Sequence, residues 1–173
     1  MRYRKLGKTG LDVSAIGFGC NQIGSDKNGY KDFTLAKDAV FLAIDKGINF
    51  FDTADVYGDK KSEEWLGRIL GAERSKVIIS TKAGLTGDGG RNGHPNHLRN
   101  SLENSLRRLK TDYVDIFFLH RPDPKIPIAE SISAIDKLIQ EGKVRFGGVS
   151  QLDKEDLETV KNSNTISCVQ YCL

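Results

Sequence analysis

The sequence contains no apolar run near the ~18 residues that a membrane-spanning helix requires, so no segment is expected to cross a bilayer. It has no block of like charge and no low-complexity tract. Its 26 basic and 23 acidic side chains leave a net charge of +3, too small to argue for a nucleic-acid surface or an acidic tail. The basic start, Met1 to Lys5, is not followed by an apolar core and does not read as a secretory leader. Cysteine is scarce and odd in number: Cys20, Cys168 and Cys172, with no Cys-x-x-Cys spacing. In an extended strand Cys168 and Cys172 would stand roughly 13 Å apart, too far for a disulfide. This is the pattern of a reducing compartment, and the cytoplasm is the expected location.

What the sequence does contain is a repeating unit. Short β-branched or aromatic runs at 15–19, 48–51, 76–81, 113–119, 143–149 and 166–171 predict strands. Between them, helical spacing predicts helices over 34–46, 62–70, 96–109, 129–141 and 153–162. In the first helix the apolar positions are Leu35, Ala39, Leu42 and Ala43; Ser62 and Asn96 are expected N-caps; Gly47 and Gly142 are helix stops. Six strands alternating with five helices, about 30 residues apart, call for a parallel sheet with right-handed crossovers. The candidates are a doubly wound sheet or a (β/α)₈ TIM barrel. The turn after the first strand, Gly17-Phe18-Gly19-Cys20-Asn21-Gln22, lacks Gly-x-Gly-x-x-Gly, which counts against a dinucleotide-binding doubly wound unit.

The barrel is therefore favoured, as a single unit over residues 1–173, with βα units over 15–173. A β-hairpin over 3–13, turning at Gly7-Lys8-Thr9-Gly10, would plug its floor. A complete barrel needs about 250 residues. The expectation is thus a barrel truncated after about six strands, with an open strand edge and an apolar flank prone to self-association.

The strand ends carry the chemistry. Asp52 and Tyr57 follow the second strand, Lys82 ends the third and His120 ends the fourth. In a barrel all four reach the same mouth. An ammonium beside a phenol favours the phenolate, and a carboxylate beside the ammonium holds its charge in place. An imidazole there can hold a carbonyl by a hydrogen bond. The set delivers a proton to a carbonyl oxygen while a hydride from another source reaches the carbon. Singly, each residue has a bland explanation: a solvated strand end, a turn aspartate, a packed tyrosine, a loop histidine. The joint placement raises the functional reading.

The run Gly47-Ile-Asn-Phe-Phe-Asp52-Thr-Ala-Asp-Val-Tyr57-Gly58, continued by Ser62-Glu63-Glu64-Trp65-Leu66-Gly67, resembles the signature of the aldo-keto reductase family. The opening Arg4-Lys-Leu-Gly-Lys-Thr-Gly10 resembles that of its bacterial and plant branches. The resemblance implies NADP(H)-dependent reduction of an aldehyde or ketone. It implies Tyr57 as general acid, Lys82 and Asp52 tuning it, and His120 orienting the small-molecule carbonyl substrate. For the nicotinamide end of the cofactor it implies Gly19, Cys20, Asn21, Asp52, Ser150, Gln151 and Gln170, with Gln151 standing where the family usually has Asn. The phosphate and adenine loops of the family have no counterpart among these 173 residues, so weak cofactor binding by this chain is expected.

Other motifs carry less. The segment from Gly84 to Gly93 is glycine-rich but has no Gly-Lys-Ser/Thr ending and reads as a mobile loop at the substrate mouth. His94 and His97 have no evident third ligand, so no metal site is expected. Cys20 reads as a small core-like thiol despite its place near the mouth. Turnover is expected to be impaired in the truncated chain, and the competing functional reading is a non-catalytic regulatory or binding protein, or an inactive fragment, on the same scaffold.

Overall fold

In a computed structural model the described residues are 1–25 and 29–171; Cys172 and Leu173 lie outside them. The chain opens with an antiparallel hairpin, β1 (Tyr3–Lys5) and β2 (Asp12–Ser14), paired from Tyr3 with Ser14 to Lys5 with Asp12. Six parallel strands follow: β3 (Phe18–Gly19), β4 (Phe50–Asp52), β5 (Ile78–Ala83), β6 (Val114–Leu119), β7 (Val144–Ser150) and β8 (Ile166–Gln170). Their crossovers carry α1 (Phe33–Asp45), α2 (Lys61–Leu70), α3 (Pro95–Leu109), α4 (Ile128–Gln140) and α5 (Lys154–Lys161).

Spatial order equals sequence order from β3 to β8. A doubly wound sheet reverses its order at a switch point, and this sheet has none. It is also rolled. The Gln170 amide on β8 lies 3.1 Å from the Asp52 carboxylate on β4, whereas four inter-strand steps in a flat sheet would hold them about 19 Å apart. The sheet is the arc of a (β/α)₈ barrel, as the sequence pattern led us to expect.

Alternation along each strand divides the apolar side chains into two layers. Phe51, Ile79, Phe117, Leu119 and Val149 face outward onto Leu66, Leu98, Leu102, Ile135 and Leu138 of the helices. Phe50, Ile78, Ile116, Phe118, Phe146 and Cys168 fill the inside. Leu11 and Val13, with Leu6, pack against Ile78, Phe50 and Phe146 at the strand starts, so the hairpin does close the floor. On β7, a Cβ added at Gly148 would sit 2.5 Å from the Phe118 ring. Glycine is what lets that ring lie against the strand.

Several local expectations are corrected. The first strand is only Phe18–Gly19, and residues 15–17 are exposed, Ile16 to 63%, because β3 has a ladder partner on one side only among the described residues. Helix α1 is capped by Asp32, whose carboxylate accepts from the Thr34 and Leu35 amides. It buries Ala36, Val40 and Ala43 and leaves Leu35 and Leu42 exposed. Small residues let the helix approach the sheet, and the leucines point away from it. Ser62 is not an N-cap; its buried hydroxyl donates to the Cys20 carbonyl and meets the Thr53 hydroxyl. The α3 cap is His94, whose Nδ1 accepts from the Asn96 amide. No helix among the described residues is long and apolar enough to cross a membrane.

Candidate active site

Four strand ends build the mouth. Beyond β4 the chain runs on beside β5, with the Thr53 amide donating to the Ser80 carbonyl at 2.9 Å and the Asp55 amide to the Lys82 carbonyl at 3.1 Å. This alignment carries the chain into a 3₁₀ turn beginning at Tyr57. Gly58 makes the turn possible. It has φ of 57°, and an added Cβ there would sit 2.5 Å from the Ile23 carbonyl oxygen. Just after β6, the His120 amide donates to the Ala83 carbonyl at 2.8 Å, which seats the imidazole beside the end of β5.

Lys82 is the centre of the arrangement. It points inward, is 1% exposed, and its ammonium has three oxygen partners. It donates to Asp52 Oδ2 at 2.7 Å, to the Thr53 carbonyl at 2.9 Å and, by a longer bond, to Tyr57 Oη at 3.4 Å. Burying a lone ammonium would cost several kcal/mol; the carboxylate and the carbonyl offset that. Asp52 in turn accepts from Ser80 Oγ at 2.5 Å and Gln170 Nε2 at 3.1 Å. The Tyr57 and His120 rings meet edge to face, with centroids 5.7 Å apart. All four residues of the expected tetrad are thus brought together.

The charge state of His120 follows from its surroundings. Burial, and secondarily the Lys82 ammonium, push its pKa down to about 4, so it is neutral at physiological pH. Its Nδ1 is buried with no hydrogen-bond partner among the described residues. A neutral imidazole carries one N–H donor and one acceptor nitrogen. That N–H is a hydrogen-bond donor and a poor acid.

The nicotinamide-side residues divide. Ser150, Gln151 and Gln170 line a cleft of ≈380 Å³ together with Tyr57, Lys82 and His120. Gly19 lies across from Asp52 in the β3–β4 ladder and is exposed, as is Asn21. Cys20 is different: its side chain is fully buried in the core, and burial raises its thiol pKa far above the ordinary value. Its sulfur therefore does not face the mouth. Gln151 has φ of 55°. That left-handed conformation is one asparagine adopts more readily than glutamine, a physical reason for Asn at this point. The Gly84–Gly93 loop supplies Leu85 and Gly89 to the cleft and is held by an antiparallel bridge between Leu85 and Arg91. His94 and His97 join no cluster of three metal-ligating side chains among the described residues.

Sequence reasoning missed two acids behind the tetrad. Glu63, which reads as a first-turn acid, is fully buried. It accepts from Arg108 of α3 at 2.7 Å and from the Thr81 hydroxyl, tying α2 and α3 to the outer face of β5. Asp55 has Oδ1 buried without a hydrogen-bond partner among the described residues, and burial together with the Glu63 charge pushes its pKa up to about 7.

Comparison with known proteins agrees with this geometry. The model of the aldo/keto reductase family matches residues 15–172. The chain is 39% identical over 173 residues to an uncharacterized oxidoreductase, YqkF, of Bacillus subtilis, covering 96% of this chain and 55% of that protein. It is 36% identical to a probable aldo-keto reductase of Glycine max, covering 96% of this chain and 49% of that one. A holo-form aldo-keto reductase from Bacillus halodurans superposes with a TM-score of 0.89 at 34% identity, over 100% of this chain and 58% of the other. The chain thus spans about half the length of the curated relatives it matches. With the family signature laid along a barrel arc and its polar residues converging at one mouth, this chain belongs to the aldo/keto reductase family.

Proposed function

We propose that the protein reduces an aldehyde or ketone to an alcohol with NADP(H), Tyr57 acting as the general acid. The observation that carries this reading is the ammonium of Lys82, 3.4 Å from the Tyr57 hydroxyl and anchored by Asp52 at 2.7 Å. As the phenol releases its proton to a carbonyl oxygen, negative charge develops on Oη. A buried ammonium already aimed there stabilises that charge without reorganising. The ring N–H of His120 holds the same carbonyl oxygen within reach of Tyr57.

The cofactor, when bound, supplies the hydride. The residues present suit its nicotinamide end: Ser150, Gln151 and Gln170 offer a hydroxyl and two amides in the cleft that holds Tyr57 and His120, and Gly19 lines an adjoining hollow with Asp52 and Gln170. The preference for NADP(H) over NAD(H) rests on the family resemblance, as does the expectation that the 173-residue chain alone binds it weakly. A reducing, cytoplasmic setting is favoured by two buried free thiols, Cys20 and Cys168.

The test is aldehyde-dependent oxidation of NADPH at saturating cofactor. Tyr57→Phe should abolish turnover and leave NADPH affinity within a few-fold of wild type. A variant that still turns over would remove Tyr57 from the role of acid. Isothermal titration of the wild-type chain checks the weak-binding expectation, and micromolar or tighter affinity would refute it.

A further inference from the structure

Asp52 is held from three directions, and one of its partners has no part in the proton transfer described above. Oδ2 accepts from Lys82 and from Gln170. Oδ1 accepts from Ser80 Oγ at 2.5 Å. Ser80 is fully buried and lies two residues before Lys82, on the same face of β5. It is the ladder partner of Asp52. The inner layer is otherwise apolar at this depth, with Ile78 and Ile116 beside it. A hydroxyl in such surroundings is stabilised only when its hydrogen bond is made.

A carboxylate bonded through one oxygen can turn about its terminal torsion, which is broad for Asp. Bonding the second oxygen from below removes that freedom. Lys82 takes its direction from Oδ2, and Tyr57 Oη lies at the long end of the reach of Lys82. We propose that Ser80 is a positioning residue: through Asp52 Oδ1 it fixes the line from Asp52 through Lys82 to Tyr57. Ser80 also keeps Asp52 in place whenever Gln170 turns to another partner in the cleft. The inference rests on the reductase reading for its purpose, but its test needs no turnover.

That test is the exchange of the Lys82 ammonium protons with water, followed by NMR on the 173-residue protein and assigned by loss of the signal in Lys82→Met. Ser80→Ala should speed the exchange about tenfold to a hundredfold, the factor one hydrogen bond to a charged acceptor supports. The thermal midpoint should fall by about 3–12 °C, the shift that losing one such bond implies at this chain length, and the protein should remain folded. Ser80→Thr, which keeps the hydroxyl, should restore slow exchange. Unchanged exchange in a folded Ser80→Ala protein would overturn the proposal, as would a folded Ser80→Thr protein that exchanges as fast as the alanine variant. Failure of carbonyl reduction would leave this readout untouched, so the two ideas fail separately.

Discussion

Replacing Asp55 by asparagine should make the protein more stable relative to wild type at alkaline pH than at acid pH. The side chain stands between α3 and the loop that carries Tyr57. Its Oδ1 is buried with no hydrogen-bond partner among the described residues, and the Glu63 carboxylate lies close enough to repel its charge. Burial first, and Glu63 second, raise its pKa to about 7, against about 3.9 in an unfolded chain. A carboxyl raised on folding contributes stability that is fully present below the unfolded value and is lost as the pH climbs through the folded one. Between about pH 5 and about pH 8.5 the loss comes to about 2.7 kcal/mol, lowered to about 2 kcal/mol by solvent reaching the outer edge of the side chain. The amide in Asp55→Asn cannot ionise, so the difference between variant and wild type should move by that amount in favour of the variant. Urea unfolding of both proteins at the two pH values measures it. A difference that is the same at both would show that Asp55 is already ionised at the lower pH, and the account of its environment would be wrong.

Three other outcomes follow from the same structure. Glu63→Gln, which leaves Arg108 facing a neutral amide in a buried position, should cost about 3 kcal/mol in urea unfolding; a loss under about 1 kcal/mol would mean the pair is solvated. Gln151→Asn should raise stability by up to about 1 kcal/mol, since its φ of 55° favours the shorter side chain; a fall would show that the longer amide makes a compensating contact. The exposed Ile16, Leu35 and Leu42 at the β3–α1 flank, and Val169 and Tyr171 at β8, should make the 173-residue chain associate with itself as its concentration rises. Sedimentation velocity showing a monomer throughout would contradict that.

The fold was legible because parallel strands buried on both faces announce themselves as short apolar runs, and each helix between them carries its own period. The tetrad was legible for a related reason: a polar residue at the end of such a run has one place to go, the mouth. The failures are equally physical. In α1 the apolar spacing marks Leu35, Ala39, Leu42 and Ala43, of which Ala43 is buried; the contact face is Ala36, Val40 and Ala43, where closeness to the sheet matters more than size. Ser62 and Glu63 look like helix-start chemistry, but their partners, Cys20 and Arg108, lie 42 and 45 residues away. Nothing local in the sequence marks such pairs. The proximity of Asp55 to Glu63 is likewise a product of packing. The role inferred for Ser80 depends on strand register, which places it opposite Asp52 and which no single run of residues reveals.

The central claim is that the charge of Lys82, delivered to Tyr57, makes the phenol an effective proton donor. Its most direct test is the rate of aldehyde reduction by Lys82→Met at saturating NADPH. The rate should fall by about 10²- to 10⁴-fold while cofactor affinity changes little. A variant that keeps the wild-type rate would contradict the claim.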